Sequence, residues 1–291
     1  MTTLYHYTSS AGLMGIVKCG KIWASNIATL NDAMELRYVY EVANRVVNAP
    51  SPRLQAQFEA HPSLTDMIMG HAPSTDGPFL PDVYVASFSE VEDDLSQWRG
   101  YTNPGDGYTI EFDSSQLEGL TDLTILGERL APVIYEEARA DEEVENLLLE
   151  IFDDRDANPE QEDWVAHSAW LMKLYDLAPT LKHPKFKAEQ EWRLIISESI
   201  NRRSAYGWVP RNHEIHWRAG KSFLIPYIEF DLRISESMTS PNSPVVKGFT
   251  VGPGPNADLA TKALLGFVNL KGYGEGHRIR VKTSEIPYRP W

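Results

Sequence analysis

The order of apolar and polar positions predicts alternating short strands and helices from the first residues. Leu4-Tyr5-His6-Tyr7-Thr8 reads as a strand, Ser9-Ser10 as a helix N-cap, and Ala11 to Lys18 as a short helix ended by Gly20. Lys21 to Ser25 gives a second strand, and Asn31-Asp32 a turn or cap. From Ala33 to Val47, the residues Leu36, Val39, Tyr40, Ala43, Val46 and Val47 recur at helical spacing. Ala49 to Pro81 is rich in Pro, Ser and Gly and reads as a surface excursion, with a short helix from Leu54 to Ala60. In Asp82 to Ser89, Val83, Val85 and Ser87 alternate with Tyr84, Ala86 and Phe88, as on a strand. Glu90 to Asp94 is an acidic turn, Leu95 to Tyr101 a short helix carrying Trp98, and Asn103 to Gly107 a turn before a strand at Tyr108 to Phe112. Residues 82 to 112 then bring two strands together with Trp98 at the crossover.

Leu130 to Tyr135 predicts a strand with Pro132 at an edge. An acidic helix follows at Glu136 to Phe152, a polar break at Asp153 to Asp163, and an apolar helix at Trp164 to Leu177. Residues 136 to 181 therefore form a helical insertion between strands. The stretch Lys185 to Ile196 ends in a short apolar run, as a buried strand would. Strand alternation places Glu189, Glu191 and Arg193 on one face, and Gln190, Trp192 and Leu194 on the other. Two acids and an Arg on one strand face fit either a solvated edge or the wall of a cleft. Ile200 to Gly220 is irregular and aromatic, a loop over a site. Further strands are expected at Leu224 to Phe230, Val246 to Val251 and Arg278 to Thr283, with a helix at Ala257 to Val268. Many short strands with few helices between them predict an α+β fold: mixed, largely antiparallel sheets forming a cleft. No Pro/Gly linker divides the chain, so residues 1–291 are expected to form a single domain.

Composition narrows the function. The 291 residues are 42% hydrophobic and 11% aromatic, with eight Trp and thirteen Tyr, enough for a full core or an aromatic-walled cleft. A net charge of -14 argues against non-specific binding to a phosphate backbone. The single Cys19 excludes an intramolecular disulfide and fits a reducing compartment. With no signal-peptide pattern and no apolar run of membrane-helix length, the expectation is a cytoplasmic chain without a membrane partner.

Several groups are candidates for chemistry. His6 lies between aromatic residues on the first strand. Ser87 and Ser89 place two hydroxyls on one strand face, where buried hydroxyls need partners. Tyr101 and Tyr108 flank a tight turn and read as core. His213, Glu214 and His216 lack a helical frame or a Cys pair and read as loop surface, so no metal is expected. Gly252 to Pro255 lacks the Lys-Ser/Thr of a phosphate loop, and no Gly-x-Gly-x-x-Gly follows a strand. Lys182 to Lys187 and Arg202-Arg203 read as solvated charge, with phosphate guidance as the alternative.

The opening Leu4 to Thr8, the helix after it, then Gly20 to Ser25 resemble the NAD-binding start of ADP-ribosyltransferase-like folds. Across most of its length the chain also resembles the DUF2971 family of mostly bacterial proteins. The stretches that carry this are Leu4 to Thr8, Gly20 to Ser25, Leu30-Asn31-Asp32, Ser87-Phe88-Ser89, Gln97-Trp98 to Tyr101, Gly107 to Asp113, Glu189 to Arg193, Val251-Gly252-Pro253 and Ser284 to Arg289. The resemblance implies an ADP-ribosyltransferase-like fold, NAD as substrate, and an acceptor that is protein or nucleic acid. It implies that Glu191 stabilises the oxocarbenium-like transition state and Glu189 orients or deprotonates the acceptor. His6 holds the ribose, with Tyr7, Thr8 and Ser25 beside it. Ser87 or Ser89 supports Glu191, and Trp98 or Tyr101 stacks on nicotinamide. A nucleotide-binding sensor without turnover and a hydrolase acting on NAD or another substrate are the alternatives.

Overall fold

The computed structural model describes residues 2–30, 35–70, 83–103, 105–122, 128–197, 203–204, 207–208, 213–233, 245–273 and 279–287. The predicted cap at Asn31-Asp32 and the tail beyond Pro287 lie outside them.

Strand β1 (Thr3–Thr8) leads into helix α1 (Ser10–Cys19), whose N-cap Ser9 accepts from the Gly12 amide. Gly20 ends the helix with φ 65°, a conformation glycine adopts without a Cβ penalty. β2 (Lys21–Asn26) and α2 (Glu35–Asn48) follow.

The described part of the Pro-rich stretch after α2 keeps the short helix expected at Leu54 to Ala60 and adds a second, both packed against the core. It holds α3 (Pro52–Ala60) and α4 (Pro62–Gly70), which bury Leu54, Phe58, Leu64 and Ile68. Proline at the start of a helix lacks only an amide that has no intrahelical partner, so these prolines open helices instead of breaking them.

β3 (Val83–Ser89), α5 (Leu95–Tyr101), β4 (Tyr108–Asp113), α6 (Ser114–Asp122) and β5 (Glu128–Pro132) come next. Two longer helices, α7 (Glu137–Ala157) and α8 (Asp163–Leu177), precede β6 (Glu191–Ser197). A short ribbon of β7 (Arg203–Ser204) and β8 (Gly207–Trp208) stands apart from the main sheet. β9 (His216–Ala219), β10 (Leu224–Asp231), β11 (Val246–Val251), α9 (Ala257–Leu270) and β12 (Arg280–Thr283) complete the described elements.

The fold is α+β with an open, largely antiparallel sheet; among the described strands, only β11 and β12 pair in parallel. β3 is its junction. One edge of β3 pairs with β6 along its whole length, from Val83↔Ser197 to Ser89↔Glu191, and β6 carries β5. The other edge is shared: β1 meets it at Tyr5↔Ser89, and β2 at Ser25↔Val85 and Asn26↔Tyr84. β1 continues outward through β4, β11 and β12, and β2 through β10 and β9. β1 separates β3 from β4, so the two strands of residues 82 to 112 are not neighbours.

One sheet face packs Leu4, Phe88, Phe112, Leu194 and Phe230 against α1, α6 and α9. A second core lies among α2, α3, α4, α7 and α8, built on residues such as Val39, Leu54, Leu148, Phe152 and Trp170.

At the irregular step between Val246 and Gly248, a Cβ on Gly248 would stand 2.8 Å from both the Arg280 carbonyl oxygen and Glu111 Oε2. Gly119 of α6 has open space in the same direction. Gly248→Ala is expected to lower unfolding free energy by about 1–3 kcal/mol. Gly119→Ala is expected to raise it by about 0.5–1 kcal/mol. Urea midpoints at unchanged slope check both.

Candidate functional site

Because β1 and β2 share one edge of β3 and diverge, the edge from Ala86 to Phe88 has neither strand beside it. A cleft of about 980 Å³ opens there, in the upper range for small-molecule sites. Its walls include His6, Ser25, Ser87, Tyr101, Glu189 and Glu191.

His6 closes the split electrostatically. Its Nδ1 lies 2.9 Å from the Ser87 carbonyl oxygen, an acceptor that the missing strand would otherwise have used. That partner assigns the proton to Nδ1 and leaves Nε2 as an acceptor. Burial lowers the His6 pKa, with the Ser87 carbonyl acting in the opposite sense, so the ring is neutral at pH 7.

Glu191 is the most constrained group. Side chains at i and i+2 on β6 share a face, and Arg193 grips Glu191 in a forked pair: Nε to Oε1 at 2.8 Å and Nη2 to Oε2 at 3.0 Å. Lys182 Nζ adds 2.9 Å to Glu191 Oε2 and 2.6 Å to Glu189 Oε2. Arg193 is 0% exposed, Glu191 5% and Lys182 3%. Burial by itself would raise the Glu191 pKa. The charges of Arg193 and Lys182, followed by the Arg193 and Ser87 side chains, hold it down at about 2. The Tyr135 hydroxyl accepts from the Glu191 amide at 3.0 Å.

Glu189 is not on the strand. A 3-10 turn, Pro184–Glu189, ends at Gln190, whose φ of 43° is the left-handed conformation. The alternation predicted through Glu189 therefore begins only at Glu191. Glu189 still faces the cleft, because the turn folds it onto Lys182. The two serines divide the support: Ser87 stands beside Glu191, whereas Ser89 Oγ donates to the Glu189 carbonyl at 2.7 Å and accepts from Val91 N at 3.0 Å.

Tyr7 lines the cleft as a strut, its hydroxyl donating to Val91 O at 2.8 Å and accepting from Asp94 N at 3.2 Å. Trp98 is not on the cleft wall. It lies 3% exposed with its centroid 4.7 Å from that of Tyr7, edge-on, and its Nε1 donates to Asp93 at 2.7 Å. Of the two rings proposed to stack on a ligand, Tyr101 is the one in the cleft. Thr8 packs against Gly12 of α1 and is also absent from the wall.

The sequence reading missed two cations. Lys182 lies in a stretch that reads as solvated charge, yet it is buried between two carboxylates. The sequence around it, Leu181-Lys182-His183-Pro184-Lys185, carries no pattern that marks this lysine for burial. Arg218 of β9 also lines the cleft, donating to Ser25 Oγ at 3.2 Å; the alternation His216, Trp217, Arg218, Ala219 was the available clue. Of the three residues read as loop surface, His216 Nε2 stays 4.0 Å from Glu214 while His213 turns elsewhere. His213 Nε2 meets Glu128 at 2.7 Å, while His216 packs on Tyr227 with ring centroids 5.4 Å apart. Among the described residues, no helix is long and apolar enough to cross a membrane.

Residues 97–194 of the 291 match the model of DUF2971, described as a protein of unknown function. The matched segment contains Lys182, Glu189, Glu191 and Arg193 but not His6 or Ser87. No curated protein and no solved structure matches the chain.

Replacing Glu191 by Gln leaves two buried cations short of their counter-charge. Glu191→Gln is therefore expected to cost about 3–5 kcal/mol of unfolding free energy at neutral pH. The pH dependence has a defined sign: a depressed carboxyl stabilises above its ordinary value near 4.5, and that stability is lost as pH falls toward about 2. Acid titration of unfolding should show the wild type losing stability through that window, and the variant losing correspondingly less.

Proposed function

We propose that this chain is an NAD-dependent ADP-ribosyltransferase that cleaves the nicotinamide–ribose bond and passes ADP-ribose to a macromolecular acceptor, protein or nucleic acid. The observation that carries the reading is the split of the sheet at β3. It sets an acceptor imidazole (His6), an aromatic ring (Tyr101) and two carboxylates (Glu189, Glu191) around one cleft.

Cleaving a glycosidic-type bond builds positive charge on the sugar, and a fixed carboxylate in a water-poor site stabilises that charge. Glu191 suits this task because it is ionised at every physiological pH. His6, neutral and oriented by Ser87, accepts a ribose hydroxyl through Nε2. Tyr101 offers a face to nicotinamide. Glu189, half-buried and on the turn, is the carboxylate placed to orient or deprotonate an incoming acceptor. The net charge of -14 favours a protein acceptor over a long nucleic acid.

A second reading has its own support. Glu191 already faces two cations, so a module that binds a nucleotide without turnover is consistent with its geometry. A plain acid–base hydrolase is the weakest of the three, since an acid must hold a proton and Glu191 does not.

Incubating the full chain with NAD and following nicotinamide release by chromatography tests the proposal. Release is expected from the wild type. Glu189→Gln and His6→Ala are expected to lower it by about 100-fold or more while leaving the circular dichroism spectrum unchanged. Glu191→Gln is read only where it remains folded. Saturable NAD binding with no release, in the presence of candidate acceptor protein, would favour the sensor. No binding at all would overturn both.

A further inference from the structure

The cleft has a second chemical pole, on the β2 side of the β3 junction. β9 and β10 form a hairpin whose turn is closed by Gly220 N donating to Phe223 O at 2.9 Å. The turn is tight enough that a Cβ on Gly220 would stand 2.7 Å from that oxygen. The hairpin carries Arg218, Lys221 and Ser222 onto the cleft wall. Arg218 is half-buried. Among the described residues no carboxylate pairs with it; its contact is the neutral Ser25 hydroxyl, and its Nε is buried without a partner.

A half-buried guanidinium held only by a hydroxyl is an uncompensated charge, and it costs stability unless something anionic joins it. Arg193, on the β6 side, shows what a compensated guanidinium looks like in this fold: it is fully buried and forked onto Glu191. The two ends of the cleft therefore differ in sign. Among the described residues, Lys182 and Arg193 are matched by Glu189 and Glu191, whereas Arg218 and exposed Lys221 have no carboxylate partner. Trp23 stacks on Tyr227, with centroids 4.3 Å apart, and stands 46% exposed beside Ser25 and Arg218 on the same wall.

We infer that the β9–β10 hairpin is an anion subsite, in which Arg218, backed by Ser25 and assisted by Lys221, seats a phosphate or pyrophosphate group of the ligand. The hairpin thus fixes the ligand's direction, anionic groups toward β9 and the uncharged or cationic end toward β6. This deepens the reading of the cleft as a nucleotide site and rests on it for the remainder of the ligand. The subsite itself requires only the anion.

Calorimetric titration of the full chain with inorganic pyrophosphate, ADP and adenosine tests it. Pyrophosphate and ADP are expected to bind saturably, with affinity falling as ionic strength rises. Arg218→Met should weaken both at least 10-fold and leave adenosine unaffected. Arg218→Lys should recover part of the loss as a point charge without the fork. Lys221→Met, at an exposed position that does not threaten folding, should weaken pyrophosphate by a smaller factor. Absence of saturable pyrophosphate and ADP binding, or Arg218→Met and Lys221→Met both within twofold of wild type, would overturn the subsite. None of these probes contains a nicotinamide–ribose bond. Pyrophosphate binding without NAD turnover would therefore reject the transferase alone, and NAD turnover indifferent to Arg218 would reject the subsite alone.

Discussion

One edge of β3 is claimed by two strands and covered by neither in the middle. A sheet edge presents backbone groups that must find partners, and an open edge inside a protein is costly. Here β1 holds the Ser89 end and β2 the Val85 end, and the Ser87 carbonyl between them goes to a side chain, His6. That substitution lets the sheet stay open where the cleft is. It also fixes the tautomer and ring plane of the His6 imidazole on the wall. The supports around it follow from the same divergence. α5 packs Trp98 beneath Tyr7, and Gly107 and Gly252 make room, since a Cβ on either would come within 3.0 Å of the indole.

The buried charges tie this cleft to the helical layer. Lys182 follows the short turn after α8, and Arg193 Nη1 donates to the Pro179 carbonyl of that turn at 3.0 Å. The carboxylates therefore depend on a segment that the second core positions. Buried ion pairs of this kind add little net stability when complete and cost much when one partner is removed. Their contribution here is geometric: donors from Arg193, Lys182 and Ser87 converge on Glu191 and hold its orientation.

Much of the fold was legible because its elements are strongly periodic. α2, α7, α8, β3 and β11 all lie within a few residues of where spacing placed them. The misreadings have local causes. In the Pro-rich stretch the helix expected at Leu54 to Ala60 is present as α3, but α4 is not announced, because Pro62 at a helix start reads like any other turn proline. Glu189 looked like part of β6 because nothing in Glu-Gln-Glu announces a left-handed Gln190. The pairing of Glu191 with Arg193 was readable, since alternation puts i and i+2 on one face. Lys182 and Arg218 were not, because burial of a cation is decided by carboxylates or hydroxyls that only tertiary structure brings near.

The charge ledger of the cleft separates the two carboxylates. Glu191 is matched by Arg193 and Lys182, whereas Glu189 shares Lys182 alone and is more exposed. A cation forming over the cleft competes with Lys182 for both, but only Glu189 stands on a turn, free of the strand that fixes Glu191. The Lys182 ammonium is a point charge with three rotatable donors, so it can lean toward either carboxylate with little change in its own position. On the proposed reading, positive charge developing near Glu191 would push Lys182 toward Glu189, the carboxylate that reading places at the acceptor. On that reading, bond cleavage and acceptor activation are coupled through one lysine. If the proposed transfer holds, the arrangement favours an acceptor that brings its own partner for Lys182.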